Sequence, residues 1–396
     1  MSLIRQSVAL SAANLKSLPR RLWISLSMVF SVALVVTVLL GFLAMSHGFR
    51  SSLQQSGAED IAIAVGTGAA TELGSQIEPS QLHHLSSAQG IAQSADGRPI
   101  ISPELVVPVD ATVRSSGLFQ TLSLRGIGEF GFEVRPLVRI VDGRSFTPGA
   151  AEIVVGRRLS TDYDGLALGD KVTFGTSVWT VVGIFDAQGS VFESEMFADA
   201  NIVQTLFNRP NLVQSARVRL TSPDVLPSLA SHAEETTQIA LPLKSERTYF
   251  EGMAEGTSRL ILFLGWPLAI TMAAGAVIGV LTTMYSSVSD RSTEIATVRT
   301  LGFSRTAAFI GTWVEAMVLT MIGCLVGVAV AWFGLDGWSA STTGADQMQI
   351  GFQLALSPAL VLQAAVLALV IGAIGGGLPA LNATRIPLRV AMTGRS

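Results

Sequence analysis

The sequence predicts an α-helical membrane protein with four transmembrane helices, arranged one and then three. An α+β extracytoplasmic domain is inserted between the first and second. Three observations carry this. Of 396 residues, 49% are hydrophobic and only 14% charged, whereas a soluble domain carries about 25% charged. The apolar residues gather into runs over 22–45, 260–284, 307–333 and 356–378. Each run can cross about 30 Å of hydrocarbon at about 1.5 Å per residue. The stretch 47–258 between the first two runs is mixed in polarity and long enough for an independent domain.

Taken in order, residues 1–21 form a cytoplasmic segment whose 3–18 portion is amphipathic and suited to the inner interface. The first span, 22–46, is too long and too evenly apolar for a cleaved leader. No A-x-A site lies at its end, so it reads as an uncleaved anchor. The second span covers 259–285, the third 306–334 and the fourth 355–379. A cytoplasmic segment, 286–305, joins the second to the third. A short external loop, 335–354, joins the third to the fourth, and 380–396 is a tail.

Basic residues set the orientation. Arg5, Lys16, Arg20 and Arg21 precede the first span. Arg291, Arg299 and Arg305 lie between the second and third, and Arg385, Arg389 and Arg395 follow the fourth. The 335–354 loop has no Lys or Arg but has Asp336 and Asp346. Arg50 and Arg259 run against the pattern and are outnumbered. Both termini and 286–305 are therefore expected in the cytoplasm, and 47–258 outside the inner membrane. A net charge of −3 argues against a nucleic-acid partner. The single cysteine, Cys324, lies in an apolar run and reads as a small buried hydrophobe.

Within 47–258, the Gly/Ala/Thr-rich stretch 57–77 reads as loop or weak strand. Pro79-Ser80 opens a helix that Gly90 ends. Strands are expected over 104–110, 121–126, 153–155, 171–174 and 177–184, where residues alternate or are β-branched between Gly, Asp and Pro turns. Gly156 opens a short helix, and Leu168-Gly169-Asp170 turns into a hairpin. A helix near 198–207, a strand near 215–220 and a helix opened by Ser222-Pro223-Asp224 complete an α+β pattern.

No catalytic constellation accompanies this pattern. The chain contains no G-x-S-x-G, H-E-x-x-H or G-x-x-x-x-G-K-[ST]. Adjacent His83 and His84 would point about 100° apart on a helix and chelate one ion poorly. Glu193 and Glu195 share a face only in a strand, and they read as a solvated edge. No metal, cofactor or catalytic residue is assigned.

The segment 289–305, SDRSTEIATVRTLGFSR, is different in kind. Ser289 or Asp290 is placed to cap a helix. Ile295, Val298 and Leu301 make a narrow apolar stripe, with Glu294 beside it. Arg299 suits the negative end of the helix dipole, and Gly302 suits a left-handed stop. Composition alone leaves two readings open. One is a connector lying in the lipid interface; the other is a helix that docks in a protein groove.

The run from Asp290 to Gly302 resembles the E-R-x-x-E-I-G-x-L-R-A-L-G signature of MacB/FtsX-type ABC transporter permeases. Asp290, Ala296, Val298 and Thr300 replace the usual Glu, Gly, Leu and Ala. The block E-I-V-V-G…L-G-D-K-V…W-T-V-V-G-I at 152–184 and the 1 + 3 spans resemble the same family. The tail from Leu378-Pro379-Ala380 through Pro387-Leu388-Arg389-Val390-Ala391 resembles its ending. Leu381 and Asn382 stand where that ending has a basic pair.

The resemblance implies a permease subunit without enzymatic activity of its own. Asp290, Arg291, Glu294, Ile295, Val298, Arg299, Leu301 and Gly302 would form the coupling contact with a separate ABC ATPase, which would hold ATP and Mg. A second permease copy or paralogue would complete a dimer. A periplasmic adaptor and an outer-membrane channel are further implied partners where the cell has two membranes. The activity implied is export or extraction of a substrate. An FtsX-like mechanotransmitter that activates a periplasmic partner is an alternative, and so is a sensor receptor without an ATPase.

Other residues suit such a machine. Gly275/Gly279 and Gly323/Gly327 each form G-x-x-x-G, a helix-packing and candidate dimer motif. Gly372, Gly375, Gly376 and Gly377 point to a close contact or soft point in the fourth span. Glu315 lies inside the third span and is expected to snorkel or to pair with Arg305. A helix continuous through 250–262 would act as a lever into the second span.

Overall fold

The computed structural model describes residues 3–18, 22–69, 71–236, 239–343 and 349–385. Along the chain run α1 (Leu3–Ser17), α2 (Leu22–Ser56), β1 (Ile61–Val65), α3 (Pro79–Ser86), β2 (Ile101–Thr112) and β3 (Phe119–Ile127). There follow β4 (Arg139–Gly143), β5 (Glu152–Gly156), α4 (Arg157–Asp162), β6 (Lys171–Phe174), β7 (Ser177–Asp186), β8 (Glu195–Asp199), α5 (Ala200–Leu206) and β9 (Ser215–Arg219). Last come α6 (Leu226–Glu235), β10 (Leu243–Ser245), α7 (Glu246–Asp290), α8 (Ser292–Thr300), α9 (Arg305–Leu335), β11 (Ser339–Thr343), β12 (Gln349–Gln353) and α10 (Pro358–Arg385).

The chain divides into two units. One is helical and comprises residues up to His47, Leu260–Trp338 and from Leu354 onward. The other is α+β and comprises Gly48–Arg259 with Ser339–Gln353. Four helices, α2, α7, α9 and α10, are long and apolar enough to cross a membrane.

In the helical unit, Met28, Val32, Val36, Leu39 and Leu40 of α2 pack with Ala273 and Val280 of α7, Leu319 of α9 and Ala368 of α10. Glycines set the spacing. A Cβ on Gly323 would meet Val32 Cβ at 2.9 Å, and one on Gly327 would meet Val36 Cβ at 2.8 Å. Thr37 Oγ1 also donates to the Gly327 carbonyl at 3.2 Å. This glycine pair is therefore filled by α2 of the same chain and is not a free dimer face. Gly275 faces open space, and Gly279 has only Ser31 Oγ at 3.8 Å. In α10, Gly372 and Gly376 abut Thr320 and Ala316 of α9. A Cβ on Gly375 would meet Val280 Cγ1 of α7 at 2.6 Å. The glycine run is thus a close three-helix contact. Cys324 is buried in the same core.

The α+β unit holds a sheet which, among the described residues, has ten strands ordered β10-β1-β9-β2-β3-β8-β5-β7-β4, with β6 beside β7. β2 joins two lobes. Ile101–Glu104 pair antiparallel with β9, and Leu105–Thr112 pair antiparallel with β3. The β1/β9/β10 lobe packs Ala64, Ile77, Leu85, Val218, Leu229 and Leu241. The larger lobe packs Leu105, Val107, Leu122, Val155, Trp179 and Met196. Here the pairing is mixed, with β3–β8 and β5–β7 parallel. β1 lies inside the stretch read as loop or weak strand, because its alternating small apolar residues are covered on both sides.

Two expectations give way. The 335–354 stretch is not a plain loop: β11 and β12 form an antiparallel hairpin within the α+β unit. Gly351 N donates to Ser194 Oγ at 3.0 Å, and the Phe352 ring meets the Phe49 ring edge-on at 5.4 Å. Glu193 and Glu195 are not a solvated edge. Glu193 sits in a 3-10 turn and accepts from Ala187 N at 3.0 Å and Gly189 N at 2.8 Å. Glu195 opens β8 and faces inward, as described below.

Candidate functional site

The 286–305 segment is built from the end of α7, α8 and the start of α9. α7 stays helical through Asp290, so neither Ser289 nor Asp290 caps a new helix. The chain breaks at Arg291, whose φ of −103° and ψ of 12° lie outside the helical basin, and α8 begins at Ser292. It ends at Thr300, and Gly302 takes a φ of +98°, a conformation costly to any residue with a Cβ. Ser304 then caps α9 by accepting from Ala307 N at 3.1 Å.

The break turns Arg291 inward. Its guanidinium donates to Glu315 of α9 at 2.9 Å and to the Asn14 side-chain carbonyl of α1. Arg291 and Glu315 side chains are 9% and 4% exposed, so the pair lies inside the protein. Glu315 is therefore held by Arg291 rather than by Arg305. Glu294, mostly exposed, reaches the same guanidinium at 3.4 Å.

The apolar stripe divides. Ile295 and Val298 line a cavity with Leu10, Val288, Phe303 and Thr312, so they serve the chain's own packing. Leu301 stands 75% exposed. Asp290, Thr293, Glu294, Thr297 and Thr300 are exposed with it. Arg299 is half-buried and borders the cavity.

α1 completes this region. It buries Ser7 and Asn14 and lies against α9, where a Cβ on Gly311 would meet Leu10 Cβ at 3.2 Å. Gln6 accepts from Ser304 N at 3.0 Å. Leu3, Ile4 and Val8 remain exposed on the other side. The helix thus turns polar groups to the protein and apolar ones outward, the arrangement that suits a lipid interface. Of the basic pre-span residues, Arg20 and Arg21 lie outside the described residues, as does the tail beyond Arg385.

A second constellation escaped the sequence reading. Glu104, fully buried where β2 passes from β9 to β3, accepts from three arginines. Arg135 donates at 2.7 and 2.6 Å, Arg125 at 3.2 Å, and Arg217 also donates. Arg125 further holds Glu195 through two bonds of 2.8 Å and Glu72 at 2.8 Å. Arg217 also holds Glu246, the first residue of α7, at 2.8 Å. Burial pushes Glu104 and Glu72 up, but the neighbouring guanidiniums outweigh it and leave both below the usual carboxylate range. The partners come from positions as far apart as 72 and 246, so no spacing in the sequence signals them.

Among the described residues no three His, Cys, Asp or Glu side chains stand together as a metal site. His83 and His84 lie exposed on α3.

A family model described as the MacB-like periplasmic core domain matches residues 25–236, more than half of the chain. One described as the FtsX-like permease C-terminal matches residues 267–388. The chain belongs to the MacB/FtsX family of ABC transporter permeases. It is 27% identical over 315 residues to the macrolide export ATP-binding/permease protein MacB 1/2 of Paracoccus denitrificans, covering 74% of this chain and 45% of that protein. It is 24% identical over 282 residues to the ABC transporter permease YknZ of Bacillus subtilis, covering 67% of this chain and 68% of that protein. The chain thus spans less than half the length of this MacB relative. Among solved structures, the periplasmic region of MacB from Actinobacillus actinomycetemcomitans matches at 17% identity and a TM-score of 0.37. That match covers 50% of this chain and 92% of that one. The family and the four apolar helices make this an inner-membrane permease with a periplasmic α+β domain.

Proposed function

We propose that this permease couples ATP hydrolysis, carried out by a separate ABC ATPase subunit holding ATP and Mg, to movement of the periplasmic domain, for export or extraction of a substrate. In this reading both termini and α8 are cytoplasmic, and two permease copies, or one with a paralogue, form the working dimer. The observation that carries the reading is the division of labour around α8. Arg291, Ile295 and Val298 anchor the segment to α1 and α9, while Leu301, Glu294 and the threonines stand free to be covered. An exposed leucine at the end of a short helix, beside exposed polar residues, is suited to a protein groove.

Purification of the tagged chain from its own membranes in mild detergent, beside a Leu301→Arg twin, tests this. An ABC ATPase that accompanies the wild type and is lost from the twin supports coupling at α8. If no ATPase accompanies either folded protein, α8 is an interfacial connector and the sensor reading takes precedence.

A further inference from the structure

The buried cluster of the periplasmic domain contains more acid than base. Four carboxylates, Glu72, Glu104, Glu195 and Glu246, meet three guanidiniums, those of Arg125, Arg135 and Arg217. An uncompensated buried charge is costly, so a proton or a counter-ion must meet the surplus.

Donor counting locates it. Glu104 is held by all three arginines and by Ser102 Oγ at 2.9 Å. Glu195 takes two bonds from Arg125. Glu72 is paired with two arginines, Arg125 at 2.8 Å and Arg217 at 3.4 Å, although its Oε1 receives no hydrogen bond. Glu246, with its side chain only 2% exposed, receives one charged bond, from Arg217 Nε to Oε1. Its Oε2 has only a long 3.4 Å contact from Ala58 N. Glu246 lines a cavity of about 190 Å³ together with Arg135, Ser56, Ala58 and Phe192. The cavity is roomy enough for water to reach the carboxyl.

We propose that Glu246 is a proton-binding site at the root of α7. Its carboxyl is neutral in the packed geometry, and loss of the proton to the periplasm loosens the joint between α7 and β9. α7 is 45 residues long, about 68 Å at about 1.5 Å per residue, and its apolar run begins at Leu260. Glu246 thus stands well outside the hydrocarbon. The charged groups that face it are Arg217 from β9 and Arg135 from the turn after β3, with Glu104 and Glu72 behind Arg217. Its neighbour Arg247 turns away to Glu59 at 3.3 Å. Burial raises Glu246 above the ordinary 4.5, and Arg217 and Arg135 only partly offset it. A carboxyl raised on packing binds its proton more tightly in the packed state. Its contribution is therefore complete below the ordinary value and is lost as pH rises through the raised one. The inference does not depend on the identity of the ATPase or the substrate.

The test is thermal unfolding of the full chain in detergent between about pH 4 and about pH 8.5, beside Glu246→Gln, which keeps an acceptor for Arg217 without the charge. The expected result is equal stability at the acid end and a glutamine variant several degrees more stable at the alkaline end. A variant less stable by the same amount at every pH overturns the proposal, because Glu246 is then an ordinary charged partner. Hydrogen exchange of the wild type gives an independent reading if the variant fails to fold. Amides 246–252 should lose protection with rising pH, relative to those of β5 and β7 and after correction for intrinsic exchange. Protection that tracks β5 and β7 across the range overturns it equally.

Discussion

Arg291 donates to Glu315 at 2.9 Å, tying the turn between α7 and α8 to the third span from inside the protein. A residue whose place in the motif implies a partner-facing role is therefore a positioning residue. It fixes where α8 stands, and other residues are left to make the contact.

Removing one member of this pair takes the closest charged partner from the other, and breaking a buried pair costs about 3–5 kcal/mol. Arg291→Met and Glu315→Gln should each lower the melting temperature in detergent. The double variant should lose less than the sum, because neither charge is then orphaned. Additive losses would mean that the pair is not coupled.

Leu301 and Val298 lie three residues apart and should behave oppositely. Leu301→Arg places a charge on an exposed position and should leave the stability within about 0.5 kcal/mol of the wild type while abolishing ATPase capture. Val298→Arg drives a charge into the cavity shared with Leu10 and Phe303 and should destabilise the chain itself. Melting curves and pull-down on the same preparations separate the two.

Gly327→Leu forces a side chain into the Ala33 carbonyl and the Val36 side chain of α2 and should cost about 1–3 kcal/mol or more. Gly275→Leu meets open space and should leave the fold intact. If α7 forms the dimer contact, the second substitution alone changes the oligomeric state, which light scattering reports.

Glu104→Gln leaves three buried guanidiniums with one fewer carboxylate and should cost about 3–5 kcal/mol near neutral pH. Glu104 lies below the ordinary 4.5 because Arg135, Arg217 and Arg125 overcome its burial. Its contribution is therefore present above that value and fades as pH falls toward its own. The gap between wild type and variant should narrow on acidification, read as melting temperature against pH.

α7 runs as one helix from Glu246 to Asp290. Inserting glycines at 255–257 should uncouple substrate movement while ATP hydrolysis continues. Loss of both together would mean that the insertion disturbs ATPase docking and that the helix is not the transmitting element.

The sequence by itself determined the membrane class, the 1 + 3 order of spans, the α+β character of the inserted domain and the family motif at 290–302. These properties are local: apolar run length, alternation, capping residues and a contiguous signature are written along the chain. The β1 strand was harder to read, since Ile61–Val65 acquires strand partners only from distant segments, and the β11–β12 hairpin because its first strand, Ser339–Thr343, is mostly polar. Only the tertiary structure decided which way each motif residue faces. It turned Arg291 toward Glu315 and Asn14, split Ile295 and Val298 from Leu301, and filled the Gly323/Gly327 notch with α2. It also drew Glu72, Glu104, Arg125, Arg135, Arg217 and Glu246 into one buried cluster. Charges so far apart in sequence meet only after the sheet has formed, and burial then makes their pairing obligatory.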